Sequence, residues 1–340
     1  MNINKLHIPQ PISAGVILSY KCSSECKHCM YACSPRWRSN WLTRGDVELI
    51  LRQLATRIKP SPYGSESVGV NYGLHFTGGE PFLNYDLLLD AVKIADELKI
   101  PSTFVETNCF WCIDDEQVDE KLTALKQAGL KGILISVNPF ILEQVPFERI
   151  ERAVRISEKI FGDNTMIYQD IYYNQFRRMG LKNTLDFDQY LKENAWTLHY
   201  SELLPMGRAC YKLNRLFAKH PAKAFFNESC LSELTRNWHV HIDNYFNYMT
   251  GYCGGISLGD ARDLGSLMKG IDLQDKPILR ALVSSIKNLY EFAVKEFNYK
   301  EREEGYISKC HLCIDIRRHI VQQTDEFKEL QPRELYFHLE

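Results

Sequence analysis

Three cysteines near the start of the chain have the residue type and spacing of a metal-binding loop. Cys22, Cys26 and Cys29 follow an apolar run at residues 14–20, which predicts a strand that ends where the loop begins. Thiolates are the preferred ligands of iron–sulfur clusters, and three of them leave one iron of a four-iron cluster open to bind and reduce a small molecule. The alternative is a zinc loop, although zinc usually takes four ligands from paired arms.

The composition indicates an ordinary globular protein and excludes several classes of partner. The 340 residues are 45% hydrophobic and 25% charged, with a net charge of −2, so no electrostatic argument favours nucleic acid or an anionic membrane. No apolar run has the length of a membrane span, and residues 1–11 lack the features of a secretory signal. Eleven cysteines then favour metal or redox chemistry in a cytoplasmic protein, with an oxidised secreted fold as the alternative.

The elements that must position the cysteine loop alternate between strand and helix. This alternation predicts an α/β fold with a parallel sheet and crossover helices. The predicted strands are residues 14–20, 73–77, 102–108, 132–138, 165–173 and 197–204, and the predicted helices are residues 42–58, 84–99, 115–128, 146–161, 186–193 and 206–219.

Special or polar turns follow five of these strands. Besides the cysteine loop they are Gly78-Gly79-Glu80-Pro81, residues 106–108, residues 136–138 and residues 204–207. Ligands of parallel sheets and barrels bind at the carboxyl ends of the strands. We therefore expect these five segments to form one ligand-binding face.

The pattern changes after about residue 220. A short strand pattern at 238–245, a glycine-rich stretch at 251–259 and an amphipathic helix at 279–297 precede Cys310 and Cys313, which open a further helix. We predict three divisions of the chain. They are a core at residues 1–220, a small second domain at 221–324 and a polar C-terminal tail at 325–340.

The cysteine loop and the GGEP turn, in this order and in a βα-repeat context, resemble the radical S-adenosylmethionine (SAM) superfamily. The resemblance covers roughly residues 12–210. It implies a partial (β/α)6 TIM-like barrel in which Cys22, Cys26 and Cys29 hold a [4Fe–4S] cluster and SAM chelates the open iron. Reductive cleavage of SAM to a 5′-deoxyadenosyl radical, followed by hydrogen abstraction from a substrate, is the activity that the resemblance implies.

The resemblance also implies roles for residues outside the cysteine loop. Gly78, Gly79 and Glu80 would meet the methionyl amino group, and His28 would lie near the adenine. The sequence departs from the family pattern at two places, where Cys109 follows Thr107-Asn108 and Pro139 follows Asn138. The remaining implied SAM contacts are Glu106, Asn108, Ser136, Asn138, Leu204 and Met206.

Four cysteines of the C-terminal part resemble the twitch domain, the shortened form of the SPASM extension. The pattern Cys230, Cys253, Cys310 and Cys313 implies a second, auxiliary [4Fe–4S] cluster. The alternative is a redox dithiol or zinc site at the CxxC unit, with Cys230 and Cys253 as buried fillers. The roles of Cys33, Cys109 and Cys112 stay open, since these cysteines are equally compatible with simple packing.

Three hypotheses for function follow from these motifs. The first is a radical SAM oxidoreductase that modifies a peptide or protein, served by a low-potential electron donor of the flavodoxin or ferredoxin type. The second is a radical SAM dehydrogenase of a small molecule. The third, from a different class, is a non-catalytic iron–sulfur or zinc protein, against which the GGEP turn argues because an electron carrier has no use for a cation-binding glycine turn.

Overall fold

The structure, a computed structural model, describes residues 4–38, 40–200 and 203–340. Its contacts group the described residues into two compact units. The sheet unit comprises Pro11–Cys26 and Cys33–Leu203, and the C-terminal unit comprises Lys27–Ala32, Leu204–Glu340 and the described residues before Pro11. The predicted division at residues 220 and 324 stays a prediction.

Five parallel strands form the centre of the sheet unit, and they follow one another in chain order. All side chains of the first two strands are buried, as expected of parallel strands that are covered on both faces. The register pairs Ser13 with Gly73 and Phe104 with Gly132. The strands are β1 (Ser13–Ile17), β2 (Gly73–Thr77), β3 (Phe104–Thr107), β4 (Gly132–Ser136) and β5 (Thr165–Tyr168).

Helices follow the strands as the sequence pattern predicts, and the prediction of an α/β fold of the partial-barrel type is confirmed. Thr43 begins the first of them with a capping box, in which its side chain accepts a hydrogen bond from the Asp46 amide and the Asp46 carboxylate accepts one from the Thr43 amide. The helices of the sheet unit are α1 (Arg44–Leu54), α2 (Tyr85–Glu97), α3 (Asp115–Gln127), α4 (Phe147–Phe161), α5 (Asp170–Arg178) and α6 (Phe187–Asn194), with a short turn of helix at Pro139–Leu142.

The predicted sixth strand at residues 197–204 is wrong over the residues that the structure describes there. Ala195–Tyr200 is a 3₁₀ helix that continues from α6. The Thr197 hydroxyl donates a hydrogen bond to the Asn194 carbonyl oxygen at 2.7 Å. This local bond satisfies a carbonyl at the end of α6, so the chain keeps turning instead of extending.

Two other predicted elements are shorter than expected. The strand predicted at 165–173 ends at Tyr168, because Gln169 has a left-handed backbone (φ 67°) and α5 begins directly after it. The helix predicted at 206–219 is confined to Ala209–Lys212.

The C-terminal unit is mainly helical, with two small antiparallel strand pairs. One pair is β6 (Val240–Ile242) with β7 (Tyr248–Thr250), and the other joins Lys5–Leu6 to Ile271–Asp272. The long helix predicted at 279–297 is two helices, α7 (Pro277–Ser284) and α8 (Ile286–Phe297), because Ser285 is extended and caps α8. The unit ends with α9 (Lys309–Gln323), which Ser308 caps.

The C-terminal tail packs into this unit. Leu335 and Tyr336 are fully buried, and the Tyr336 hydroxyl donates a hydrogen bond to the Gly255 carbonyl oxygen at 2.5 Å. Among the described helices, none combines the length and the apolarity needed to cross a membrane.

Candidate functional site

In the sheet unit, the glycine turn after β2 lies against the start of the cysteine loop after β1. The Gly79 amide donates a hydrogen bond to the Ser19 carbonyl oxygen at 2.9 Å, and the Glu80 amide donates one to the Lys21 carbonyl oxygen at 3.0 Å. Because β1 and β2 are parallel neighbours, the loops at their carboxyl ends meet at the same edge of the sheet.

Both glycines of this turn are required by the close approach of the backbones. A Cβ atom at Gly79 would lie 1.8 Å from the Lys21 carbonyl oxygen, and one at Gly78 would lie 2.3 Å from that of Ser19. Gly78 also has a φ of +127°, which side chains rarely tolerate. The turn can therefore lie beside Cys22 only because residues 78 and 79 are both glycine.

The Glu80 carboxyl group is the buried polar centre of this turn. Its side chain accepts hydrogen bonds from the Phe82 amide at 3.2 Å, the Asn108 amide at 2.8 Å and the Thr107 hydroxyl at 3.0 Å. The last two donors come from the end of β3. The carboxyl group is therefore fixed between two neighbouring strand ends.

Asn108 connects this carboxyl group to the cysteine loop. While its backbone amide binds Glu80, its side-chain amide donates to the Cys22 sulfur at 3.6 Å and to the hydroxyl oxygens of Ser23 and Ser24 at 3.1 and 3.3 Å. An amide donor stabilises a thiolate more than a thiol. Asn108 thus links the Cys22 sulfur to the Glu80 carboxyl group through two hydrogen bonds.

Burial raises the pKa of Glu80 to about 7, against the opposing effect of hydrogen bonds from Asn108, Phe82 and Thr107. A carboxylate in so dry a position is stabilised by a cationic ligand. The group that fits this position is an ammonium group, which is the role that the family resemblance implies for Glu80.

We expect the metal-free wild-type protein to lose stability as the pH rises, and we expect Glu80→Gln not to show this loss. Because burial raises the pKa of folded Glu80 from 4.5 to about 7, wild type has this stabilisation in full below pH 4.5 and loses it as pH rises through 7, by about 3 kcal/mol. Urea unfolding at pH 5 and pH 8 measures the difference. Glu97→Gln, at the exposed end of α2, is the control, and an equal pH dependence in wild type and Glu80→Gln would contradict the assignment.

The rest of the predicted cysteine-loop residues divide between the two units. Cys26 is buried in the sheet unit, whereas His28 and Cys29 belong to the C-terminal unit. There the Cys29 carbonyl oxygen accepts hydrogen bonds from the amides of Ala32 and Arg208 at 3.3 and 3.0 Å. Burial, together with Arg208, lowers the pKa of His28 to about 4, so its imidazole is neutral at physiological pH.

Three other predicted SAM contacts lie at the ends of β3 and β4. Glu106 accepts a hydrogen bond from the Thr77 hydroxyl at 2.6 Å and lies 3.5 Å from the Nε2 atom of His75. Ser136 is half-buried at the end of β4. The Asn138 side-chain oxygen caps the short helix at Pro139–Leu142, so that oxygen has a structural task.

Leu204 and Met206, the predicted adenine contacts, lie in the C-terminal unit. The Met206 amide donates to the Leu204 carbonyl oxygen at 2.8 Å. Gly207 follows with a φ of +58° and packs on the backbone of Met30.

The C-terminal unit brings together the four cysteines of the predicted auxiliary site. Burial raises the pKa of the Cys253 and Cys310 thiols to about 11 and 12 and that of Cys230 still higher, and neighbouring sulfurs of the tetrad add to each of these three shifts. A metal must therefore displace the protons of these three thiols. The tetrad is Cys230, Cys253, Cys310 and Cys313.

The spacing of this tetrad argues against a preformed zinc site. No three of these four described sulfurs lie mutually within 4.8 Å. Tetrahedral zinc, with Zn–S bonds of about 2.3 Å, holds its sulfurs about 3.8 Å apart. A four-iron cube separates its ligand sulfurs further than a zinc ion does, so the absence of such a close group is compatible with a cluster.

Sequence analysis missed the groups that support both sets of cysteines. Ser23 and Ser24 bind the Asn108 side chain, and Thr107, which lies in the predicted polar segment 106–108, donates a hydrogen bond to Glu80. Beside the tetrad lie Lys309 and Arg317. The available signal was spacing, since Arg317 lies four residues after Cys313 and so on the same face of a helix.

Cys109 and Cys112 are neighbouring thiols that interact electrostatically and have no exposed surface. Cys109 has a φ of +66° at the position where the family pattern has glycine. Burial and the neighbouring Cys112 raise the pKa of Cys109 well above its usual range, so the thiol is protonated. Packing and redox chemistry both remain compatible with this pair.

Comparison with known proteins adds an independent finding. Residues 16–160 match the family model of the radical SAM superfamily. The chain is also 25% identical over 147 residues to the putative peptide biosynthesis protein YydG of Bacillus subtilis (strain 168). That alignment covers 43% of this chain and 42% of YydG, so it spans less than half of either protein.

Solved structures resemble the chain only loosely. Native anSMEcpe with bound AdoMet has a TM-score of 0.45 at 12% identity, covering 90% of this chain and 95% of that one. SuiB of Streptococcus suis, bound to S-adenosylmethionine, has a TM-score of 0.34 at 14% identity, covering 94% and 77%.

The matched residues 16–160 include the cysteine loop, the glycine turn and Asn108, which are the parts of the sheet unit that contact one another. A [4Fe–4S] cluster and SAM are the cofactors of this family, in agreement with the cofactors predicted from the sequence. Residues 16–160 of the chain therefore form a radical SAM domain.

Proposed function

We propose that this chain reductively cleaves SAM and abstracts a hydrogen atom from a peptide or protein substrate. The observation that carries the proposal is the buried Glu80 carboxyl group, which Asn108 ties to the Cys22 sulfur. A carboxylate held at a fixed position beside a cluster ligand suits a cofactor that must place an ammonium group and a chelating carboxylate together.

Each residue of this group has a distinct task in the proposal. Cys22, Cys26 and Cys29 hold the [4Fe–4S] cluster, and Glu80 binds the amino group of SAM. Gly78 and Gly79 allow the turn to approach, and Asn108 orients Cys22. With cluster and SAM bound, one electron would release the 5′-deoxyadenosyl radical that abstracts hydrogen.

The auxiliary site is the second part of the proposal. Cys230, Cys253, Cys310 and Cys313 would hold another [4Fe–4S] cluster in the C-terminal unit. The mutual proximity of the four sulfurs supports this assignment. A cluster with four protein ligands has no open iron, so its task would be to accept one electron from the substrate radical that hydrogen abstraction leaves, rather than to bind the substrate.

The peptide substrate is supported by one comparison. YydG is described as a putative peptide biosynthesis protein, and the match to it lies in a part of each chain. We therefore propose a peptide or protein as the substrate and a flavodoxin- or ferredoxin-like protein as the electron donor.

The experiment is anaerobic incubation of the reconstituted protein with SAM, titanium(III) citrate and short peptides encoded beside its gene. The peptides carry deuterium at all Cα and side-chain carbons. We expect 5′-deoxyadenosine to form, and to acquire deuterium when the correct peptide is present. Cleavage with no transfer from any such peptide would contradict the peptide substrate, and absence of 5′-deoxyadenosine would contradict the activity itself.

A matched variant separates the proposed role of Glu80 from a general loss of structure. Glu80→Gln keeps the shape but cannot carry the negative charge, so SAM affinity should fall at least tenfold because a charged hydrogen bond is worth about 1.5–3 kcal/mol. Glu97→Gln should bind as wild type does. Equilibrium dialysis measures the SAM affinity of all three proteins. Equal affinities would contradict a role of Glu80 in SAM binding.

A further inference from the structure

The auxiliary cysteine tetrad has a buried cation beside it that no ion pair accounts for. Arg317 in α9 is 5% exposed. Its guanidinium group donates to the Gly254 carbonyl oxygen at 3.1 Å and to the Tyr336 hydroxyl at 2.7 Å, and it interacts electrostatically with the Cys313 sulfur. Among the described residues, no carboxylate lies within ion-pair distance of it.

A buried guanidinium group with only neutral partners is costly, because desolvation is not repaid by an opposite charge. Buried charges in proteins are paired or coordinate metals, and a guanidinium group cannot coordinate a metal, so a negative partner is expected. Three groups that can become negative interact with Arg317 electrostatically, namely Tyr336, Cys313 and Cys253. Burial raises the pKa of Tyr336 to about 12, so its phenol stays neutral and leaves the two cysteines. The missing anion of this site is therefore the tetrad itself in its metal-bound, thiolate form.

The position of Arg317 follows from the helix that carries Cys313. The two residues are one turn apart in α9, so their side chains lie on the same face. The contact with Gly254 extends this support to the other side of the tetrad, because Gly254 directly follows Cys253. The Arg317 side chain thus connects the helix that carries Cys313 with the backbone that directly follows Cys253.

Lys309 is a second cation near the tetrad, but its charge is already balanced. Its ammonium group donates to the Ser229 carbonyl oxygen at 2.9 Å, next to Cys230, and to the Glu233 carboxylate at 2.8 Å. Arg318, the neighbour of Arg317, is likewise paired, with both of its terminal nitrogens on the Glu340 carboxylate. Arg317 alone of these three brings an unbalanced positive charge.

We infer that Arg317 is a positioning residue that raises the reduction potential of the auxiliary cluster and makes it an electron acceptor. Reduction adds one electron and makes the site one unit more negative, so a fixed cation beside the sulfurs stabilises the reduced form more than the oxidised form. Net charge and hydrogen bonds to the sulfurs are established determinants of such potentials. This inference rests on the auxiliary cluster of the proposed function.

The test measures the auxiliary cluster alone, in a Cys22/Cys26/Cys29→Ala background. Arg317→Gln should shift the one-electron equilibrium at least tenfold towards the oxidised form, which is a fall of about 59 mV. Redox titration followed by electron paramagnetic resonance measures the shift. Arg317→Lys, which keeps the charge, should recover more than half of it.

Two control variants separate charge from packing. Arg318→Gln removes a paired cation from the same helix, and Tyr336→Phe removes a hydrogen-bond partner of Arg317 without changing its charge. Both should change the equilibrium less than threefold. A shift in Tyr336→Phe as large as that in Arg317→Gln, or no shift in Arg317→Gln, would overturn the inference.

Iron content distinguishes failure of this inference from failure of the proposed auxiliary cluster. If the Cys22/Cys26/Cys29→Ala protein is folded but binds no iron, the proposed auxiliary cluster is contradicted and so is the role of Arg317. If Arg317→Gln loses iron while its circular dichroism is unchanged and Arg318→Gln keeps iron, the charge balance is supported. The redox titration of Arg317→Lys then tests whether the positive charge sets the reduction potential of the cluster.

Discussion

A Cys22/Cys26/Cys29→Ala variant is expected to form no 5′-deoxyadenosine while keeping half of its iron. Alanine cannot ligate metal, so the open-iron cluster and the site for SAM chelation are lost together. The four sulfurs of the C-terminal unit are untouched by these substitutions. Wild type should hold about eight irons per chain and the variant about four.

The measurement combines iron and sulfide analysis with a chromatographic assay of SAM cleavage, after anaerobic reconstitution. Cys33→Ala, four residues beyond the loop, is the control and should retain about eight irons and full cleavage. The reciprocal variant, with all of the tetrad changed to alanine, should keep about four irons and still cleave SAM.

Each other outcome has a definite meaning. About four irons in wild type and none in the loop variant would keep the radical SAM site and remove the auxiliary cluster. Bound zinc without iron in wild type, and no SAM cleavage, would contradict the function that we propose.

The residues proposed to bind or approach the cofactor could be identified from the sequence because their chemistry dictates both type and spacing. Cysteines clustered after a strand and a glycine pair before an acid are constraints that a short segment carries by itself. The structure adds that the glycine turn and Cys22 belong to one hydrogen-bonded group, because Glu80 and Asn108 both take part in it.

The elements that the sequence predicted incorrectly depend on contacts that periodicity does not contain. Residues 197–200 have a strand-like pattern, yet the Thr197 hydroxyl binds the Asn194 carbonyl oxygen and keeps the chain helical. The apolar stripe at 279–297 continues through Ser285, whose extended backbone divides it into two helices. In both cases a hydrogen bond between one side chain and the backbone determines the local structure, and the hydrophobic pattern of the neighbouring residues does not.

The burial of Arg317 beside the auxiliary tetrad could not be predicted from the sequence, although its spacing from Cys313 places both on one face of a helix. Arg317 has the type and surroundings of an ordinary helix-surface cation in the sequence, and only tertiary structure buries it against Gly254 and Tyr336. Once the neutral partners of a buried charged side chain are known, its neighbours can be searched for the group that supplies the opposite charge.

Gly79→Ala is expected to abolish SAM cleavage and to destabilise the metal-free protein by about 3 kcal/mol or more. The added Cβ atom would lie 1.8 Å from the Lys21 carbonyl oxygen and 2.8 Å from the Cys22 amide nitrogen. Both are backbone atoms, so relief requires the turn and the cysteine loop to separate. Separation breaks the hydrogen bonds from Gly79 to Ser19 and from Glu80 to Lys21.

Gly45→Ala provides the matched control, since it adds the same methyl group where there is room. The nearest atom to a Cβ there is the Thr43 hydroxyl oxygen at 3.8 Å. Gly45 lies in the first turn of α1, where alanine should stabilise by about 0.5–1 kcal/mol. Urea unfolding of the metal-free proteins and 5′-deoxyadenosine formation by the reconstituted ones measure both effects. If Gly79→Ala matched Gly45→Ala in both assays, the approach of the glycine turn to Cys22 would not be a condition for activity, because the turn would then tolerate displacement without loss of the cofactor site.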